Sequence, residues 1–282
     1  METHEAAWES ADGLQLFERS WRPAQPKAAV VIIHGFAEHS GRYEHVVARL
    51  AARGYAVQAL DLRGHGRSEG KRTFVRSMDE HTGDVERFLA RIRERESGLP
   101  VFLLGHSMGG MIVALMLITS GDRGLRGAVL SGAAVRSTRG SARIVQLLLR
   151  ALGRLFPRLP LAKLDGTLVS RDPTVVERYD NDPLVYRGRV PAGTARAMIH
   201  AGRKVTKEME AISPPLLILH GSEDGLVDPE GSRDLYERAG SADKALKIYD
   251  GLYHEILNEP EQDEVLRDII DWLDARTGTS AG

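Results

Sequence analysis

A serine between glycines is the residue in this chain best suited to nucleophilic chemistry. Residues 105–109 read Gly-His-Ser-Met-Gly, the pattern G-x-S-x-G with Ser107 at its centre. An apolar run over residues 101–104 precedes the pattern, and an apolar segment long enough for a helix follows it. A strand that turns sharply into a helix strains the central residue, and its neighbours two positions away must then lack side chains. This context predicts that Ser107 is a nucleophile, against the alternative of a serine in an ordinary glycine-rich turn.

A serine hydroxyl is a poor nucleophile, so it needs a histidine base within hydrogen-bond reach and an acid that orients that base. After a serine in this pattern, the expected chain order is acid and then histidine. His254 follows the last predicted strand, in a loop at the expected catalytic face, and is the predicted base. His220 lies upstream of the best acid and is predicted to be structural, whereas His200 falls in a segment expected to cover the site.

Two aspartates follow the strand before that loop and compete for the role of the acid. Asp224 is closer to the strand end, and Gly225 lets the chain turn its carboxylate toward the catalytic face. Asp228 precedes Pro229 at the start of a predicted helix, where capping the helix is enough to explain it. Asp224 is therefore the predicted acid, which would fix the imidazole tautomer and stabilise the imidazolium formed during attack.

Attack on a carbonyl creates an oxyanion that needs two preorganised hydrogen-bond donors. The backbone N–H of Met108 is one predicted donor, because it stands at the positive end of the helix that follows Ser107. The second is the backbone N–H of Phe36, directly after His34-Gly35 at the end of another apolar strand. Both residues would act through the main chain, so changing their side chains should mainly alter packing.

Alternating strand and helix patterns place these residues at one edge of a sheet. Continuously apolar runs predict central strands covered on both faces. Three strand ends lead into the loops that hold Phe36, Ser107 and Asp224, and ligands of parallel sheets bind beyond such ends. The sequence therefore predicts an α/β fold with a mostly parallel, doubly wound sheet. The predicted strands are residues 14–21, 28–33, 55–60, 101–104, 128–130, 216–219 and 245–249, and predicted helices include 43–52, 78–96 and 262–276.

The strand–helix alternation stops between residues 133 and 211, where no strand is apparent and prolines separate helical segments. We interpret residues 133–211 as a helical cap inserted over one core domain, formed by residues 1–132 and 212–282. Residues 141–156 predict a basic helix with a wide apolar face. This helix fits contact with a lipid interface, and equally fits packing on the core or on a second subunit. Leu148 and Leu152 of this helix are predicted to contact an acyl chain.

Composition excludes several classes of function. The formal net charge of −1 over 282 residues gives no general attraction to nucleic acid. Cysteine, metal-ligand spacings and nucleotide-binding glycine patterns are absent from the sequence, so we expect no metal and no other cofactor. Neither a secretory signal pattern nor a run of about 18 apolar residues occurs, so a cytoplasmic protein with peripheral membrane contact through the cap is expected. The oligomeric state stays open.

Four segments together resemble the monoacylglycerol lipases of the α/β-hydrolase superfamily, most closely the bacterial members. They are His34-Gly35 with residues 38–43 (Glu-His-Ser-Gly-Arg-Tyr), residues 63–68 (Arg-Gly-His-Gly-Arg-Ser), residues 105–110 and residues 253–259. The resemblance implies an α/β-hydrolase fold, the triad Ser107, Asp224 and His254, and hydrolysis of monoacylglycerols, small lipid esters, through an acyl-enzyme. Members often have a small residue where Phe36 stands. This departure leaves the N–H available and is expected to narrow the pocket wall.

Two sets of alternatives stay open on the sequence alone. Lysophospholipase or general carboxylesterase activity would use the same residues, and a non-catalytic ligand-binding protein of the same fold is the alternative outside enzymes. Glu38 and Arg42 lie in the loop beside the expected oxyanion hole. They would either hydrogen-bond the alcohol end of the substrate or hold the loop in shape through an ion pair.

Overall fold

The apolar runs expected to form central strands do so, and they build a sheet with helices on both faces. The computed structural model describes residues 1–136 and 143–278, without the side chains of residues 143–147. The strands are β1 Glu2–Glu9, β2 Gln15–Arg22, β3 Ala28–Ile33, β4 Tyr55–Leu60, β5 Val101–His106, β6 Gly127–Ser131, β7 Pro160–Lys163, β8 Arg189–Pro191, β9 Leu216–Gly221 and β10 Lys244–Tyr249. The helices are α1 Glu44–Ala52, α2 Asp79–Arg95, α3 Met108–Ser120, α4 Arg143–Leu155, α5 Pro173–Asn181, α6 Ala192–Glu208, α7 Glu230–Arg238 and α8 Gln262–Thr277. Within the described ranges, no helix has both the length and the apolar character needed to cross a lipid bilayer.

Eight of the described strands form one sheet in the order β1-β2-β4-β3-β5-β6-β9-β10. The strands β1 and β2 are antiparallel to their neighbours, and the remaining neighbours from β4 to β10 pair in parallel. Every residue of β3, β4, β5 and β9 is buried, as expected of parallel strands covered on both faces. The predicted α/β fold with a mostly parallel, doubly wound sheet is confirmed.

Two apolar layers flank the sheet. One layer includes Phe88 of α2, the apolar residues of α3 and Val205 of α6. The other includes Leu50 of α1 and Ile269 of α8. The helix α3 is buried from its first residue through Leu117. The core therefore surrounds the helix that begins directly after Ser107 and fixes its N-terminus.

The segment 133–211 contains α4, α5, α6 and an antiparallel pair of short strands, β7 and β8. The prediction that this segment has no strand is therefore wrong. These strands are short and largely exposed, so they show no apolar run or alternation. Ala197 and Ala201 of α6 belong to the main core and anchor the segment to the sheet. The division into core and cap stays a prediction, and residues 141 and 142 of the predicted cap helix lie outside the described residues.

Candidate active site

Ser107 stands at the sharp turn between β5 and α3. Its backbone has φ +53° and ψ −117°, a conformation that costs a residue with a side chain about 1–3 kcal/mol. A Cβ on Gly105 would lie 2.7 Å from the Gly109 carbonyl oxygen, and a Cβ on Gly109 would lie 2.1 Å from the Ile33 carbonyl oxygen. The prediction that both flanking positions must lack side chains is therefore confirmed, because β3, β5 and α3 approach each other closely there.

The Ser107 hydroxyl begins a hydrogen-bonded chain of three side chains. Ser107 Oγ lies 2.8 Å from His254 Nε2, and His254 Nδ1 lies 2.6 Å from Asp224 Oδ2. Because a carboxylate only accepts, His254 donates through Nδ1, and the neutral imidazole accepts the serine proton at Nε2. In this geometry a base can take the proton of a serine as the hydroxyl attacks a carbonyl. The structure thus brings together the predicted nucleophile, base and acid, on loops after β5, β10 and β9.

The protonation states of the acid and the base follow from their contact. Burial acts to raise the pKa of Asp224, but the neighbouring His254 and the hydrogen bonds from two imidazoles hold this pKa well below its ordinary value. Burial acts to lower the pKa of His254, but the Asp224 carboxylate outweighs this effect and raises the pKa above its ordinary value. Asp224 is therefore an anion at neutral pH, and it stabilises an imidazolium at His254.

The alternative acid, Asp228, lies elsewhere in the same loop. Its Oδ1 accepts the N–H of Glu230, the first residue of α7, at 3.1 Å. Its Oδ2 lies 3.4 Å from Arg136 Nε. Asp228 thus accepts from the first turn of α7, from the position before the N-cap residue Pro229, whereas the His254 imidazole is hydrogen-bonded to Asp224.

His220, predicted to be structural, contacts the carboxylate of the acid. His220 Nε2 lies 2.9 Å from Asp224 Oδ2, and His220 Nδ1 lies 2.7 Å from Ser232 Oγ in α7. His200, by contrast, lies on α6 with an exposed side chain. The strand-end position of His220 was visible in the sequence, but its contact with Asp224 depends on the shape of the intervening turn.

The loop after β3 lies beside the nucleophile, and a hydrogen bond of His34 sets the orientation of its Gly35–Phe36 peptide. His34 Nε2 accepts the Leu62 N–H at 2.9 Å, so His34 Nδ1 carries the proton and donates to the Gly35 carbonyl oxygen at 2.7 Å. Since a carbonyl and the following N–H point to opposite sides of a trans peptide, the Phe36 N–H points away from His34. A Cβ on Gly35 would lie 3.1 Å from Ser107 Cβ, so this peptide lies beside the nucleophile.

The second predicted donor, the Met108 N–H, belongs to the first residue of α3, where backbone N–H groups have no partner within a helix. Within the described part of the chain, neither this N–H nor that of Phe36 donates a hydrogen bond to a protein acceptor. Two such donors beside a serine nucleophile suit the binding of an oxyanion. The assignment of Phe36 and Met108 to an oxyanion hole stays a prediction.

Glu38 and Arg42 belong to a buried cluster of charges that supports the loop after β3. Glu38 Oε1 accepts the Gly35 N–H at 2.6 Å and the Tyr43 hydroxyl at 2.8 Å. Its Oε2 accepts from Arg42 at 2.9 Å. Arg42 donates two further hydrogen bonds, of 2.6 and 2.7 Å, to Glu255 beside the predicted base. These contacts favour the alternative in which Glu38 and Arg42 hold the loop in shape, and their contact with substrate stays a prediction.

A cavity of about 530 Å³ is lined by Ser107 and His254 and by residues of α6. Its apolar wall consists of Phe36, Ala134, Val135, Leu164, Val169, Val190, Met198, Ile199, Leu226 and Val227. Among the described residues, those that line the cavity do not include Leu148, Leu152 or Arg42. Leu148 is 58% exposed on α4, so the two leucines predicted to contact substrate lie away from the cavity in this structure.

Comparison with known proteins places this arrangement in a family. The family Hydrolase_4, described as serine aminopeptidase, S33, matches residues 24–261. The chain belongs to Hydrolase_4.

This Hydrolase_4 chain is 42% identical to a monoacylglycerol lipase of Mycolicibacterium smegmatis, with 95% of this chain and 96% of the relative covered. It is 38% identical to a monoglyceride lipase of Homo sapiens, with 96% of this chain and 90% of that relative covered. The crystal structure of a Paleococcus ferrophilus monoacylglycerol lipase superimposes with a TM-score of 0.82 at 33% identity, covering 98% of this chain and 100% of that one. The resemblance to monoacylglycerol lipase-like α/β hydrolases is confirmed, and with it the prediction of a serine hydrolase.

Sequence reasoning missed several residues of this Hydrolase_4 site. Met198 and Ile199 line the cavity from α6, and apolar residues on a helix give no signal that separates a cavity wall from core. His106 also lines it, with its ring centre 4.9 Å from that of His254. Burial lowers the pKa of His106 to about 4, so this imidazole is neutral beside the base. Its place inside the G-x-S-x-G pattern was the available signal.

Proposed function

We propose that this protein hydrolyses monoacylglycerols to glycerol and a free fatty acid, with Ser107 as nucleophile, His254 as base and Asp224 as acid. The proposal rests on the hydrogen-bonded chain that runs from Ser107 Oγ through His254 to Asp224. This chain lies beside a mostly apolar cavity of about 530 Å³. Such a wall accommodates a fatty-acyl chain better than a small polar ester. The relatives named monoacylglycerol lipase or monoglyceride lipase support the same substrate.

In the first half of the reaction, Ser107 Oγ attacks the ester carbonyl while His254 Nε2 takes the hydroxyl proton. The carbonyl oxygen becomes an oxyanion, and the N–H groups of Phe36 and Met108 donate hydrogen bonds to it. Asp224 stabilises the imidazolium that has formed. The bond to the glycerol oxygen then breaks, and His254 delivers its proton to that oxygen, so glycerol leaves and the acyl group stays on Ser107.

In the second half, water replaces glycerol. His254 takes a proton from the water molecule as its oxygen attacks the acyl carbonyl, and the same two N–H groups bind the new oxyanion. The bond to Ser107 Oγ breaks, the imidazolium returns its proton to that oxygen, and the fatty acid leaves. The protein ends in its starting protonation state.

Lysophospholipids are the second candidate substrate. Three cationic side chains, those of Arg136, Arg203 and Lys207, line the cavity at exposed positions. A phosphate in the alcohol part of the ester would be attracted to them, whereas glycerol has no charge. A substrate series separates the two candidates.

The test measures kcat/KM of the purified protein for a monoacylglycerol, a lysophosphatidylglycerol, a triacylglycerol and a p-nitrophenyl butyrate ester. The monoacylglycerol should rank first. Ser107→Ala, which removes only the hydroxyl, should lower kcat about 10⁴-fold or more. Circular dichroism checks that the variant is folded, and a fluorophosphonate should label the wild type but not the variant.

Two results would contradict the proposal. The first is a wild-type protein that does not hydrolyse monoacylglycerol and does not react with fluorophosphonate, as expected of a non-catalytic binding protein. The second is undiminished turnover by Ser107→Ala. A higher kcat/KM for lysophosphatidylglycerol would replace monoacylglycerol by the second candidate, and a p-nitrophenyl ester ranked first would indicate a general carboxylesterase.

We also propose that the protein meets its substrate at a lipid surface through one end of the cap. Leu148 in the middle of α4, Leu155 at its end and Phe156 just after it are 58, 69 and 60% exposed. Arg150 and Arg154 lie on the same helix. Exposed apolar side chains with cations nearby favour insertion at the boundary between lipid headgroups and acyl chains.

A further inference from the structure

A second imidazole contacts the acid of the proposed catalytic chain. His220 and Ser232 are both fully buried. Asp224 Oδ2 lies 2.9 Å from His220 Nε2 and 2.6 Å from His254 Nδ1, so one oxygen serves two histidines. His220 Nδ1 in turn lies 2.7 Å from Ser232 Oγ. The catalytic mechanism above uses neither His220 nor Ser232.

The direction of each hydrogen bond follows from the carboxylate. Because Asp224 is an anion that only accepts, His220 must carry a proton on Nε2. In the neutral ring Nδ1 is then the acceptor, and the Ser232 hydroxyl donates to it. The Asp224 carboxylate therefore sets the tautomer of His220, and the Ser232 hydroxyl holds the ring in place by donating to Nδ1.

The other oxygen of the acid is held by backbone. Asp224 Oδ1 accepts the N–H groups of Leu226 and Val227 at 2.8 and 2.9 Å. With the two imidazoles, each oxygen of the carboxylate accepts hydrogen bonds from two donors. Without His220, Oδ2 would accept a hydrogen bond from His254 and no longer from a second imidazole. The negative charge of Asp224 would then interact more strongly with His254.

We propose that His220, oriented by Ser232, is a positioning residue that fixes the Asp224 carboxylate and divides its charge between two imidazoles. The inference rests on the proposed function, since it assigns a role within that catalytic chain. His220 does not touch the reacting atoms; it acts through Asp224 on the orientation and basicity of His254. The pair Ser232–His220 continues the chain that begins at Ser107.

The other ionisable groups near His254 remain unchanged when His220 is replaced. The His106 ring lies 4.9 Å away, centre to centre. Glu255 and Glu38 also favour the charged form of His254, and both are paired with Arg42. A change in the titration of His254 after substitution of His220 is therefore attributable to the contact with Asp224.

Two amide variants separate the proposed role from simple space filling. In His220→Gln the amide nitrogen takes the place of Nε2 and can donate to Asp224. In His220→Asn the shorter amide reaches Ser232 but not Asp224. We expect the glutamine variant to keep kcat within about threefold of the wild type, and the asparagine variant to lose about 10- to 100-fold in kcat with little change in KM.

The pH dependence of kcat/KM supplies the decisive measurement. Only neutral His254 acts as a base, so activity falls on the acid side as the imidazole gains a proton. Without the His220 donor, Asp224 stabilises the imidazolium more strongly. The acid limb of the asparagine variant should therefore move to higher pH by about 0.5–1 unit, and that of the glutamine variant should not move.

Controls keep this inference separate from the proposed function. His200→Gln, at an exposed position on α6, should leave the pH profile unchanged. Ser232→Ala, which retains His220 but removes the hydrogen bond that orients its ring, should shift the acid limb in the same direction by a smaller amount, and it replaces the asparagine variant should that one not fold. An unmoved acid limb in both His220→Asn and Ser232→Ala, or equal impairment of the Gln and Asn variants, would overturn the positioning role. Loss of the proposed function itself would appear as an inactive wild type or an active Ser107→Ala.

Discussion

The backbone of Ser107 adopts a conformation that is unfavourable for any residue with a side chain. Its φ of +53° lies in the region that glycine adopts readily and other residues avoid. The packing of α3 against the sheet holds the residue there, and the same turn keeps the hydroxyl 2.8 Å from the imidazole of His254. Strain and proposed reactivity are therefore located in one residue.

Replacing the nucleophile by glycine should give a more stable protein than replacing it by alanine. Ser107→Gly and Ser107→Ala both lack the hydroxyl and should be inactive, but only glycine relieves the backbone conformation. We expect a difference of about 1 kcal/mol, after allowance for the greater entropy of glycine in the unfolded chain. This corresponds to about 2–4 °C in the unfolding midpoint. Thermal unfolding of both variants measures it, and an alanine variant of equal or greater stability would contradict the strain argument.

For individual residues, the sequence predicted the proposed reacting groups better than the residues that hold the neighbouring loop in place. Ser107 could be located because a motif and a strand end coincide. The partner of Arg42 could not, because Glu255 is 213 positions away and no pattern pairs the two. Leu148 and Leu152 were assigned to the pocket from hydrophobicity alone, which does not give the rotation of α4 about its axis.

Among the elements, α3 approaches β3 to a distance that only glycine permits. A Cβ on Gly109 would lie 2.1 Å from the Ile33 carbonyl oxygen, and backbone atoms of a buried parallel strand have little room to move. By contrast, a Cβ on Gly83 of α2 would meet no atom within 4 Å. There is therefore no space for a side chain at Gly109, whereas a side chain at Gly83 would meet open space.

The same substitution should have opposite effects at these two positions. Gly109→Ala should lower the free energy of unfolding by about 3 kcal/mol, because α3 must move away from β3. Gly83→Ala should raise it by about 0.5–1 kcal/mol, because alanine is the better helix former in open space. Urea unfolding of both variants provides the measurement. A loss of stability at Gly83, or none at Gly109, would contradict the packing described here.

Strands were predictable in proportion to their burial. The fully buried β3, β4 and β5 follow from continuous apolar runs, and each appears within a few residues of its predicted bounds. The edge strand β1 was not predicted, since Trp8 is its only buried residue and its stability comes from pairing with β2. The pair β7–β8 was missed for the same reason, because neither strand forms an apolar face.

For the molecule as a whole, the distribution of exposed apolar surface says more about contact with lipid than the net charge does. Among the described residues, every exposed large apolar side chain except Met1 and Tyr236 lies between residues 148 and 164. The formal net charge of −1 gives no indication of this concentration. The surface formed by residues 148–164 is thus the part of the described surface best suited to contact lipid.

The lipid contact can be tested by sedimentation with vesicles of phosphatidylcholine and phosphatidylglycerol. The double variant Leu148→Asp/Leu155→Asp should bind about tenfold more weakly than the wild type, because it removes two apolar side chains and adds two negative charges. Tyr236→Asp, at an exposed aromatic position on α7, serves as the matched control and should bind like the wild type. Hydrolysis of a soluble p-nitrophenyl ester should stay the same in all three proteins. Equal sedimentation of wild type and double variant would disprove the contact.

The ion pair between Arg42 and Glu255 has a consequence for how the protein is made. A ribosome releases the amino-terminal part of a chain first, and folding begins there. During most of translation, Arg42 has emerged without its distant carboxylate, and Glu38 alone is within reach along the chain. The loop that carries the Phe36 N–H therefore gains its final support only after Glu255 has been synthesised and has left the ribosome, so a nascent protein truncated before Glu255 would have the serine turn without a finished loop beside it.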